Sequence, residues 1–69
     1  MTSAFSQNLR RLRERRRISR RVLSELCGLS KNMIASYERG KKIPTGASLE
    51  CLADFFGVTM DELWGRDEK

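Results

Sequence analysis

The sequence predicts an all-α fold of five short helices, and three observations carry that prediction. Apolar residues return at helical spacing in five stretches, a Ser or Thr able to cap stands ahead of each, and Gly28, Gly40 and Gly57 close three of them. The length of 69 residues fits one domain, expected over residues 5–64, with 1–4 and 65–69 as flexible termini. A chain of this size buries only roughly 60% of its unfolded surface, which leaves room for a core but not for a roomy catalytic cleft.

In the first helix Ser6 is the expected cap and Phe5 an apolar anchor before it. Phe5, Leu9 and Leu12 fall at i, i+4 and i+7, so they share the inner face. The other faces carry Arg10, Arg11, Arg13, Arg15, Arg16 and Arg17. Such crowding is repulsive, but Glu14 can pair with Arg10 or Arg11, and cations in a last turn suit the helix dipole. Most of these arginines read as a solvated face. Ile18 then closes the core.

Ser19 caps the second helix at Arg20. Leu23, Leu26 and Cys27 lie at i, i+3 and i+4, one apolar stripe that ends at Gly28. Glycine takes the left-handed conformation of a tight helix exit without a Cβ penalty. Small Ser24 suits a close crossing beside that turn. Leu29 returns to the interior, and Ser30 is the expected cap of a third helix running to about Arg39.

The third helix has few apolar residues, Ile34 and Tyr37 with Met33, all on one side. Lys31, Asn32, Ala35, Ser36 and Arg39 recur at i, i+1, i+4, i+5 and i+8 and share the opposite face. A helix so thinly anchored and so polar outside is suited to being presented to a partner. Gly40 ends it, Ile43 is expected to pin the following loop inward, and Pro44 stiffens that loop. Lys41 and Lys42 then point outward beside Arg39.

Thr45 caps the fourth helix, whose Leu49, Leu52, Ala53 and Phe56 fit i, i+3, i+4 and i+7 before Gly57. Val58 precedes a capping box, Thr59 with Glu62, that opens a fifth helix carrying Met60, Leu63 and Trp64. Met60 reads as core.

The stretch from Arg20 to Tyr37 resembles the helix-turn-helix of the phage-repressor and Cro family, the lambda repressor-like or XRE-type group. The likeness rests on Leu23, Cys27, Leu29, Ile34 and Tyr37, on Gly28, and on the ending Tyr37-Glu38-Arg39-Gly40. With the Pro-led fourth helix and the capped fifth it covers residues 5–64. Ser24 stands where the family more often has Ala, and Arg20 where it more often has Gln. The resemblance implies a five-helix lambda repressor-like domain with the helix-turn-helix at helices two and three. It also implies a sequence-specific regulator of transcription, a repressor, that binds double-stranded DNA as a homodimer on a palindromic operator. Base reading then falls to Lys31, Asn32 and Ser36, with Met33 or Ala35 against a thymine methyl. Phosphate contacts fall to Ser19, Arg20, Arg39, Lys41 and Lys42. Arg13 is expected to pair with Glu38, and Phe55 and Trp64 stand where such dimers often meet.

Charge points the same way. Residues 1–42 hold twelve Lys/Arg and three acids, net +9, whereas residues 43–69 hold two and six, net −4. Opposite halves favour an oriented approach to a polyanion. An RNA target would call for exposed stacking aromatics, and the basic half offers only Phe5 and Tyr37, both on inner faces. Catalysis is excluded on chemistry: there is no His, neither Cys has an evident base, and Asp61 and Glu62 serve as helix-start acids. Cys27 and Cys51 fall on apolar stripes and read as reduced core residues of a cytoplasmic protein. Two thiols without His build no zinc site, so no metal, cofactor, small-molecule ligand or membrane association is expected. The competing use of the same fold is a protein-interaction module, antitoxin-like or adaptor, which would tolerate substitution at Lys31, Asn32 and Ser36.

Overall fold

The computed structural model describes residues 4–65. Over these the chain forms α1 (Ala4–Arg15), α2 (Arg20–Leu26), α3 (Met33–Glu38), α4 (Gly46–Phe56) and α5 (Met60–Trp64), with no strand among the described residues. The expected all-α, five-helix architecture is therefore present. Helix α1 packs on α3 and α5, α2 on α3, and α4 on α5. The core they enclose is Phe5, Leu9, Leu23, Ile34, Tyr37, Leu52, Ala53, Phe56 and Leu63.

Local signals act as their chemistry requires. Ser19, Thr45 and Thr59 each sit in extended backbone and accept an N–H from the first turn of the helix they open. The Thr59/Glu62 capping box is complete, with Thr59 N donating to Glu62 Oε1 at 2.8 Å and Glu62 N to Thr59 Oγ1 at 2.9 Å. Gly28, at φ 67°, makes the left-handed exit from α2.

Four expectations fail, at Ser6, Leu26, Ile43 and Met60. Helix α1 begins at Ala4, so Ser6 is no cap. Ser6 is instead buried in the helix, and its Oγ donates to Tyr37 O at 2.5 Å, serving a carbonyl in the last turn of α3. In α2, Ser24 is fully buried, which turns the inner face toward Leu23, Ser24 and Cys27 and leaves Leu26 57% exposed. Ile43 does not pin its loop: it is 79% exposed, because the extended chain alternates and half-buried Pro44 takes the inward place. Met60, at the open start of a one-turn helix, is 38% exposed, and Leu63 is the α5 residue that fills the core. Gly65, at φ 99°, caps α5, its N–H donating to Asp61 O at 2.9 Å, and residues 1–3 and 66–69 of the expected flexible termini lie outside the described residues.

The third helix also starts later than expected. Residues 30–32 form a turn in which Ser30 O accepts from Met33 N at 3.0 Å, and Asn32, without a side-chain cap bond, precedes α3. Leu29 N donates to Ser24 O at 2.7 Å, which closes the turn on α2 before Ser30 can serve as a cap. Arg17, at φ 56°, closes the short connection from α1 to α2.

Candidate nucleic-acid interface

A helix of six residues does not hold itself in water. Helix α3 is held from behind. Ile34 and Tyr37 are buried beneath it, and the Phe5 ring meets the Tyr37 ring edge-on at 5.6 Å. At its C-terminal end two residues of α1 reach across. Ser6 takes the Tyr37 carbonyl, and Arg13 donates through Nε and Nη2 to Glu38 at 2.6 and 3.2 Å. Arg13 Nη1 also donates to Ile18 O at 2.8 Å, so the guanidinium fixes the α1–α2 connection as well. The structure thus brings Arg13 and Glu38 together, and α3 has one orientation relative to the rest of the domain.

The outer side of α3 borders a groove of about 630 Å³ lined by Ser19, Arg20, Arg21, Lys31, Asn32, Ala35, Ser36 and Arg39. Four of these are cations and none is an acid. The start of α2 supplies one wall, where the Ser19 cap accepts Val22 N at 3.0 Å and fixes the point from which Arg20 projects. The turn supplies Lys31 and Asn32, both exposed, and α3 supplies Ala35, Ser36 and Arg39. Among the described residues no acid lies within ion-pair distance of Arg20, Lys31 or Arg39. Six residues singled out from sequence therefore share one concave basic surface: Ser19, Arg20, Lys31, Asn32, Ser36 and Arg39.

The remaining candidates lie elsewhere. Met33 is half-buried against the core rather than in the groove. Lys41 and Lys42 are exposed on the loop after α3, whose course is set by Gly40 at φ 76° and by Lys41 N donating to Ser36 O at 2.9 Å. Phe55 packs edge-on to Phe56 at 5.0 Å, with the Arg16 guanidinium 5.3 Å from its ring centre. Trp64 is half-buried, 5.7 Å from the Phe5 ring, and borders a shallow hollow with Pro44, Leu49, Met60 and Asp61. Arg21, next to Arg20 in the first turn of α2 and not singled out from sequence, also lines the groove, and Arg10 faces an adjoining hollow.

The two thiols lie together behind the turn. Cys27 and Cys51 are free and half-buried, and Cys51 Sγ approaches Cys27 O at 4.0 Å. Burial, then the hydrogen bond and charge repulsion from Cys51, push the Cys27 thiol from its ordinary 9.0 up to about 12. No group of three or more His, Cys, Asp or Glu that could hold a metal ion occurs among the described residues. No described helix is long and apolar enough to cross a membrane.

The family model described as helix-turn-helix matches residues 9–63. The chain belongs to the helix-turn-helix family. The phage-repressor resemblance read from its sequence is upheld by the curated proteins to which this helix-turn-helix chain is similar. It is 36% identical over 64 residues to the HTH-type transcriptional activator BcrR of Enterococcus faecalis, covering 93% of this chain and 31% of that one. It is 38% identical over 61 residues to the HTH-type transcriptional regulator AnsR of Bacillus subtilis (strain 168), covering 88% and 53%. It is 36% identical over 59 residues to the cryptic phage CTXphi transcriptional repressor RstR of Vibrio cholerae, covering 86% and 53%. The matched part thus spans a third to a half of these relatives' own lengths. No solved structure matches the chain significantly.

Proposed function

We propose that this helix-turn-helix chain binds double-stranded DNA in a sequence-specific way and regulates transcription, acting as a repressor by occupying a promoter. The observation that carries the reading is the acid-free groove in which Lys31, Asn32 and Ser36 are flanked by Ser19, Arg20, Arg21 and Arg39. The major groove of B-form DNA, about 12 Å wide, admits one α-helix, whereas the major groove of RNA is too narrow for side chains to read. In helix-turn-helix docking the N-terminal residues of the presented helix meet base edges. Lys31 and Asn32 stand immediately before Met33, at that end of α3.

Each role follows from donor and acceptor chemistry. The Lys31 ammonium donates to guanine O6/N7, the Asn32 amide pairs with adenine N6/N7, and the Ser36 hydroxyl takes either kind of partner. Ala35, in the groove, is better placed for a thymine methyl than Met33. Ser19, Arg20 and Arg39 contact phosphate on either side, and Lys41 and Lys42 extend that track along the backbone. Two copies related by a two-fold axis read a palindrome with half-sites about one turn, roughly 34 Å, apart. Trp64, half-exposed beside Pro44 and Met60, is the better candidate for the joining surface; Phe55 is engaged with Phe56 and Arg16. Relatives are named both as activator and as repressor. Repression needs only that the promoter be occupied.

Selection of bound duplexes from a random pool tests the reading. The expected outcome is an enriched palindromic site with a fixed half-site spacing; recovery of the input pool unchanged, at low salt and with folded protein, overturns it.

A further inference from the structure

Beside the groove lies a second depression, lined by Arg10, Arg13, Ser19, Arg20, Glu38 and Arg39, about 490 Å³ in volume. The charge inside it is unevenly committed. Arg13 and Glu38 neutralise each other in a pair whose side chains are 13% and 5% exposed. Arg20 and Arg39 meet no acid among the described residues. Arg10 is tied to Glu14, one turn along α1, by Nε to Oε2 at 3.1 Å, with both side chains more than half exposed.

We infer that Arg10 is a further phosphate-binding residue, contributed by α1 outside the helix-turn-helix, and that Glu14 is its internal competitor. The inference rests on the proposed DNA reading and extends the same site. The depression shares Ser19, Arg20 and Arg39 with the reading groove, so a backbone running along the rim of that groove passes over it. A phosphate there meets the Arg20 and Arg39 guanidiniums and draws Arg10 away from Glu14. Exchange is cheap, because an exposed i, i+4 pair holds its partners only weakly, whereas Arg to phosphate is a charge-assisted, bidentate contact. Glu14 thereby holds Arg10 in place in the free protein and, once displaced, stands as a nearby anion that weakens the complex.

The test is a double-mutant cycle with Arg10→Gln and Glu14→Gln, read by binding to a random-sequence 30-base-pair duplex across a range of salt. Arg10→Gln should lower the magnitude of the salt slope by about 0.9, one phosphate contact. Glu14→Gln should raise affinity about twofold, the size of an exposed i, i+4 pair released. In the Arg10→Gln background Glu14→Gln should lose most of that gain. Glu50→Gln, the same charge change on an exposed residue of α4, controls for net charge. Urea unfolding confirms that each variant is folded. An unchanged slope in Arg10→Gln, or an equal gain from Glu14→Gln with and without Arg10, overturns this role while the DNA reading stands. Failure of the wild-type chain to bind the duplex in a salt-dependent way overturns both.

Discussion

Arg13 on α1 and Glu38 at the end of α3 are joined by two hydrogen bonds, at 2.6 and 3.2 Å, with both side chains largely buried. The pair binds the helix that faces the groove to the helix that packs behind it. Stripping one partner leaves the other charge buried and alone. Arg13→Met or Glu38→Met should therefore cost about 3–5 kcal/mol each, with the double variant recovering much of the loss. Urea midpoints of the three variants check this; additive losses would show that the two residues act separately.

Ser24 is fully buried, and its Oγ has no hydrogen-bond partner. An unmade hydrogen bond costs about 1–3 kcal/mol, and alanine fits the same space. Ser24→Ala should raise the thermal midpoint without altering the fold. A fall in midpoint would mean that the hydroxyl is satisfied in solution by a water.

Gly65 combines φ 99° with a crowded site: a Cβ there would lie 2.7 Å from the Ala4 Cβ. That methyl is rooted directly in the α1 backbone, so relief requires the helix itself to move. Gly65→Ala should destabilise by about 1–3 kcal/mol. Gly28→Ala, left-handed at φ 67° with nothing within 4 Å of its Cβ, carries a backbone cost without the clash. Equal losses in calorimetry would remove the steric contribution.

Cys27 holds its proton more tightly folded than unfolded, with a pKa of about 12 against 9.0. Between these values the unfolded chain binds fewer protons, so stability falls as pH rises. The contribution of the neutral thiol should be intact below pH 9.0 and lost on approach to 12. Comparison of wild type with Cys27→Ala over that window isolates it: the wild type should lose its advantage as pH climbs. Parallel curves would contradict the shift.

The base-reading and phosphate roles separate by their sequence dependence. Asn32→Ala should remove preference at one base pair, about 1–3 kcal/mol of discrimination, and leave the others intact. Lys42→Ala should weaken all duplexes alike and reduce the salt slope by about 0.9. Competition binding against single-base variants of a selected site measures both; uniform loss in Asn32→Ala would move that residue from the bases to the backbone.

Helix number, order and most caps were legible in the sequence because their causes are local. Ser19, Thr45 and Thr59 bond to N–H groups three residues away, and the stripe Leu49, Leu52, Ala53 and Phe56 is set by helical geometry alone. Tertiary contacts decided what local rules could not. Ser6 looked like a cap until α3 placed the Tyr37 carbonyl beside it, and Leu26 looked like core until buried Ser24 shifted the inner face of α2. The groove is of the same kind. Lys31, Asn32, Ser36 and Arg39 could be assigned to one face from their spacing, but the wall opposite them belongs to the start of α2. A pattern along one helix fixes which residues point together; the packing of separate elements fixes what they point at. That packing depends on the whole buried core, and its keystone here is a guanidinium and a carboxylate 25 positions apart in the chain.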